Sequence, residues 1–136
     1  MKNEEIAVAK RNKGYNCAQA VICTYCEKLG LDEKTAFQLS EGLGSGLGCT
    51  LGTCGALNAA CILAGMVTST GNLKSPNSKG KTYPVTMAMT KSFVKEAGAT
   101  CCRDLKGIDT GNILCPCEEC VRITCRLVDE YVMKDK

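Results

Sequence analysis

From Gly42 to Leu73 the chain carries no charged residue, a constraint that sends this stretch into the interior of a fold or into a membrane. Its most apolar part, Leu51 to Val67, is short for the roughly 20 apolar residues that span hydrocarbon, and it includes Thr53 and Asn58. Small residues dominate it: Gly55, Ala56, Ala59, Ala60, Ala64 and Gly65. Such a surface lets neighbouring helices approach closely, so the segment reads as a central helix of a soluble fold.

The rest of the chain reads as helices separated by turn signals. Residues 3–12 form a short amphipathic helix. Asn16 followed by Gln19 is a capping-box pattern that opens a helix through Leu29, which Gly30 ends. Asp32 caps another, ending near Gly42. The Gly-rich loop Gly42-Leu-Gly-Ser-Gly-Leu-Gly48 leads to the central helix, which starts near Cys54. Pro76, Asn77, Ser78 and Gly80 mark the segment from Thr68 to Lys81 as a polar loop. A helix from Pro84 to Ala97 stops at Gly98, and the last runs from Glu118 to Val132 with Val121, Cys125, Val128 and Val132 on one face. No segment alternates with the period of a strand. The expected architecture is all-α, a single domain over residues 1–136, with five or six helices around a central helix flanked by the Gly-rich loop. That loop fits neither G-x-G-x-x-G nor a P-loop, and no strand precedes it. Its glycines instead suit backbone passing close to a buried site or donating N–H groups to one.

Cysteine then decides what chemistry is open. The chain has 12 Cys and no His. Without imidazole there is no Ser-His or Cys-His nucleophile pair, and any metal must take thiolate, carboxylate or backbone ligands. A chain of 136 residues can bury a core without disulfide staples. Met1-Lys2-Asn3-Glu4-Glu5 lacks the apolar run of a secretory signal, so a cytoplasmic location with reduced thiols is expected. The net charge of +3 is too small to suggest nucleic acid, and Lys10, Arg11 and Lys13 read as a solvated helix end.

Two cysteines stand where physics favours thiolate. Cys17 follows the cap Asn16, and Cys54 follows Thr53, so each is expected as the first residue of a helix. The unpaired N–H groups and the dipole there lower a thiol pKa. Arg103 after Cys102, and the final helix just after Cys117, act in the same direction. The other eight are less specific. Cys23 and Cys26 have C-x-x-C spacing but lie inside a helix, where two core-facing thiols are expected. Cys61 lies two turns beyond Cys54 on the same face, Cys49 sits in the Gly-rich loop, and Cys101 adjoins Cys102. Cys115-Pro-Cys117-Glu-Glu-Cys120 is the densest group, with Cys125 beyond it. Its spacing matches neither ferredoxin-type cluster motifs nor a paired zinc ribbon.

These residues carry a family resemblance. Gly14-Tyr-Asn-Cys-Ala-Gln-Ala-Val21 resembles the start of the redox-active proteins named for a C_GCAxxG_C_C cysteine pattern. Thr53-Cys-Gly-Ala-Leu-Asn-Ala59 follows a Gly-rich loop as their Cys-Gly-Ala-x-x-Gly segment does, with Ala59 where the family has Gly. Cys102-Arg-Asp-Leu105 is similar to the third element and Cys117-Glu-Glu-Cys-Val121 to the last. The resemblance covers the chain from about Gly14 to Val132, and it implies that Cys17, Cys54, Cys102 and Cys117 are the functional set. Four thiolates without histidine suit an iron–sulfur cluster used for electron transfer. The same thiols could instead cycle through disulfides without metal, with Cys17 or Cys54 as the attacking thiolate. A third reading is structural zinc in an interaction module. In each case the four thiols are expected to converge near the helix starts at Cys17 and Cys54. A redox partner protein is expected, nucleic acid and a membrane span are not, and a homo-oligomer is compatible with the sequence.

Overall fold

The structure, a computed structural model, describes residues 1–134. Among them are seven α-helices: α1 (Asn3–Asn12), α2 (Cys17–Tyr25), α3 (Glu33–Ser40), α4 (Gly55–Thr68), α5 (Lys79–Ala97), α6 (Cys102–Lys106) and α7 (Cys117–Tyr131). The described residues form no β-strand; a lone antiparallel bridge joins Thr53 to Cys101. The protein is therefore all-α, with more helices than the five or six expected.

Local signals start and stop most of these helices. The Gln19 N–H donates to the Asn16 side chain at 2.9 Å, and the Asn16 N–H donates to the Gln19 side chain at 3.0 Å, closing the capping box. Past Tyr25, the turn Cys26–Leu29 tightens to 3-10 geometry and Gly30 closes it at φ 84°. The Asp32 carboxylate accepts from the Thr35 N–H at 3.0 Å at the start of α3.

Two elements depart from the sequence pattern. Helix α6 has five residues, too few to produce a periodicity, and it was not expected. Helix α5 begins at Lys79, ahead of the expected Pro84, so that Pro84 lies inside it. The added turn is held by a tertiary contact, a hydroxyl–hydroxyl bond of 2.6 Å between Thr82 and Thr68 at the end of α4. Packing overrides the tendency of proline to sit in a first turn.

One buried cluster draws side chains from every helix. Helix α4 packs against α2, α5 and α7, and it shares the centre with α2 and α7 instead of occupying it alone. Helix α2 also touches α1 and α3, which explains why every residue from Cys17 to Tyr25 except Thr24 is buried. The buried Tyr25 hydroxyl reaches the Cys125 carbonyl at 3.0 Å and the Asp129 carboxylate at 2.8 Å, tying α2 to α7. The apolar run of α4 is thus spent on the core, and no helix among the described residues is long and apolar enough to cross a membrane.

Candidate functional site

The Gly-rich segment is an irregular connection that brings helix starts together. After the short 3-10 turn Glu41–Leu43 the chain makes a wide turn over Gly46–Thr50, with Ser45, Leu47 and Thr50 at positive φ. Each such residue costs about 1–2 kcal/mol, so surrounding bonds must hold the shape. They do: Gly52 N–H donates to the Gly46 carbonyl at 3.0 Å, Cys102 N–H to Gly52 at 2.9 Å, and Cys54 N–H to Thr100 at 2.7 Å. This clamp fixes the starts of α4 and α6 side by side. Gly46 and Gly55 are among the glycines that closeness requires. A Cβ on Gly46 would lie 2.5 Å from the Cys102 Cβ, and one on Gly55 would lie 2.6 Å from the Leu43 carbonyl oxygen and 2.7 Å from the Cys17 sulfur.

Cys17, Cys102 and Cys117 are the first residues of α2, α6 and α7. Cys54 is the cap before α4 and not its first residue, one position from where the sequence pattern put it. All four line one small cavity of about 20 Å³, joined by Cys115 and Cys120, with Gly55, Leu105 and Lys106 completing much of the wall. That space holds about one water molecule. The sequence reasoning left Cys115 and Cys120 outside the functional set. The available signal was spacing, because Cys120 lies three residues after Cys117 and so on a neighbouring stripe of α7.

The cavity thiols work in pairs. Cys17 and Cys117 adjoin on the cavity wall, and this neighbour, with the Arg11 guanidinium and Lys106 nearby, holds Cys117 well below an ordinary thiol, at about 5. Cys17 is pushed up by Cys117 and then by its burial. Cys17 does start a helix, as expected, and it faces Cys117 there. The second pair is Cys54 and Cys120. The neighbouring Cys120 lowers the Cys54 thiol against its burial, helped by the N–H groups of Leu57 and Ala56, while Cys120 itself is pushed up and donates to the Cys115 carbonyl at 3.7 Å. Burial raises Cys102 and Cys115, which remain protonated.

The remaining thiols lie elsewhere. Cys23 and Cys26 are buried in the core, the former raised to about 12 by burial, and Cys26 donates to the Cys23 carbonyl at 3.7 Å. Cys125 is likewise raised to about 12 by burial, beside Tyr25. Cys61 on α4 is half-buried, Cys49 is exposed, and Cys101 donates to the Leu51 carbonyl at 3.6 Å.

The metal expectation is overturned. Among the described residues no group of three or more Cys, Asp or Glu side chains is disposed to hold a metal ion, and all twelve cysteines are free. Zinc on Cys17, Cys54, Cys102 and Cys117 would need four sulfurs facing one ion, and an iron–sulfur cluster would need room among them for its inorganic core. Here the space that these thiols share is water-sized.

Over residues 15–131 the chain matches the model of a family described as "Putative redox-active protein (C_GCAxxG_C_C)". It belongs to that family. All twelve cysteines fall within the matched span. No curated protein and no solved structure matches the chain.

Proposed function

We propose that this member of the C_GCAxxG_C_C family is a metal-free thiol/disulfide redox protein, with Cys117 as the attacking thiolate and Cys17 as the resolving thiol. The observation that carries the reading is that Cys17 and Cys117, the first residues of α2 and α7, line one cavity and one surface cleft together, beside Arg11. Cys117 is half-buried and Cys17 fully buried, so the group that meets a disulfide from outside is the one that carries the charge. Attack by Cys117 on a disulfide sulfur forms a mixed disulfide and releases a thiolate, which takes the Cys17 proton. The Cys17 thiolate then attacks the Cys117 sulfur, releasing a second thiolate and leaving a Cys17–Cys117 disulfide. Cys54 and Cys120 supply a second dithiol on the same cavity, and Cys102 and Cys115 line it as neutral thiols. A redox partner protein in a reducing compartment such as the cytoplasm returns the pair to dithiol.

The test is equilibration of the reduced protein with the oxidised and reduced dithiothreitol couple, an acid quench, and peptide mapping of the bridges. The Cys17–Cys117 bridge should form first and vanish in Cys117→Ser. Oxidation confined to Cys49, Cys61 or Cys101, with Cys17 and Cys117 still free to alkylate, would sink the proposal.

A further inference from the structure

Outside the cavity, the surface over Cys17 and Cys117 is a cleft of about 340 Å³, a volume that suits a small-molecule ligand. Arg11, Tyr15, Asn16 and Lys106 line it around the two sulfurs, and no acidic side chain does. Much of its polar capacity is already used. The Tyr15 hydroxyl donates to Glu33, and the Asn16 side chain serves the α2 cap and donates to the Glu41 carbonyl at 2.9 Å. Besides the Ser45 hydroxyl, what remains available is cationic. Arg11 comes from α1 and faces Cys117, with the exposed Glu118 the nearest acid to influence it; Lys106 comes from α6. Neither makes a salt bridge among the described residues, whereas neighbouring Lys10 is held by Glu33 at 2.9 Å.

The interior cavity admits about one water, so any larger reactant must meet Cys117 from this cleft. We infer that the oxidising substrate is a small disulfide bearing carboxylates, held by Arg11 and Lys106 while Cys117 attacks its sulfur. The inference rests on the thiol/disulfide reading above. Guanidinium binds carboxylate through paired, charge-assisted hydrogen bonds, and the ammonium adds a second positive point. When Cys117 bonds to the substrate sulfur, its negative charge leaves with the first thiol product. Arg11 then faces an uncharged sulfur and is free to hold the carboxylate of the half still attached. The Cys17 proton goes to the departing thiolate, and Cys17 expels the second half. Overall, one disulfide is reduced to two thiols and the protein dithiol is oxidised by two electrons.

Three symmetrical disulfides serve as probes: dithiodipropionate, a dianion; bis(2-hydroxyethyl) disulfide, neutral; and cystamine, a dication. The rate of mixed-disulfide formation on Cys117 is read by acid quench and mass spectrometry. Each rate is divided by that of the same probe with a free model thiol. The dianion should exceed the neutral probe by on the order of tenfold at low salt, with the dication slowest. This preference should collapse near 1 M salt, where the screening length is about 3 Å. Arg11→Gln and Lys106→Gln should each cut the dianion-to-neutral ratio severalfold. The ratio is the proper readout because both cations also lower the Cys117 pKa, which affects every probe alike. If Arg11→Gln fails to fold, the salt series on the unaltered protein makes the same measurement. Equal normalised rates for the three probes overturn the anionic-substrate inference and leave the redox reading intact. Absence of any mixed disulfide on Cys117 overturns the redox reading itself.

Discussion

Cys117 should be set apart from the other thiols by its reactivity in mild acid, and comparing pH 5.5 with pH 7 shows why. Its pKa of about 5 stands against 9.0 for an ordinary thiol. At pH 7 the thiolate fraction is then about a hundredfold greater than for an ordinary thiol. A low-pKa thiolate is also a weaker nucleophile, and a Brønsted coefficient of about 0.4–0.5 removes roughly 40- to 100-fold of that gain. The net advantage at pH 7 is only about one- to threefold, which no labelling experiment would isolate. At pH 5.5 the fractions differ by about 2,000-fold, leaving a net advantage of roughly 25- to 60-fold. The assay is per-cysteine alkylation of reduced protein with an isotope-coded reagent between pH 4 and 9. Cys117 should rise through a midpoint near 5 and then level off. Cys17→Ala removes the neighbour that lowers Cys117 most, so the midpoint should move up toward that of an ordinary thiol. A Cys117 rate that climbs without a plateau through pH 8 would refute the pairing. An unchanged midpoint in Cys17→Ala would do the same.

Gly55→Ala places a methyl 2.6 Å from the Leu43 carbonyl and 2.7 Å from the Cys17 sulfur, so it should cost about 1–3 kcal/mol and raise the Cys117 midpoint. Thermal melting and the alkylation profile check the two effects, and a variant unchanged in both would show that the approach is not tight. Cys125→Ala, in the core beside Tyr25, should cost about 1 kcal/mol and lower Tm by roughly 3 °C. Its Cys117 profile should stay as it was, and a shifted profile would extend the functional set into the core.

Much of the fold was legible because helix ends are local. Asn16 and Gln19, Asp32 and Thr35, and the glycines at 30 and 98 interact within a few residues, so the chain announces those boundaries wherever they come to lie. The small apolar residues from Gly55 to Ala64 likewise dictated that α4 be buried, since apolar surface gains free energy by leaving water. The cysteines Cys17, Cys54, Cys102 and Cys117 stood at or beside helix starts for the same local reason. Which thiol holds charge was not local. The Asn16 cap argued for a thiolate at Cys17, yet only the packing of α7 across α2 brings up Cys117, with Arg11 of α1 beside it, and moves the charge there. Cys120 joined the site through contact with Cys54, from a helix far along the chain, and α6 exists because the Gly52 and Thr100 carbonyls clamp its start to that of α4. The sequence alone determined that this is a helical protein whose chemistry is sulfur. Tertiary structure decided that six of the sulfurs meet around one water-sized cavity and not as ligands of one ion, because their convergence depends on contacts between segments that local sequence does not encode.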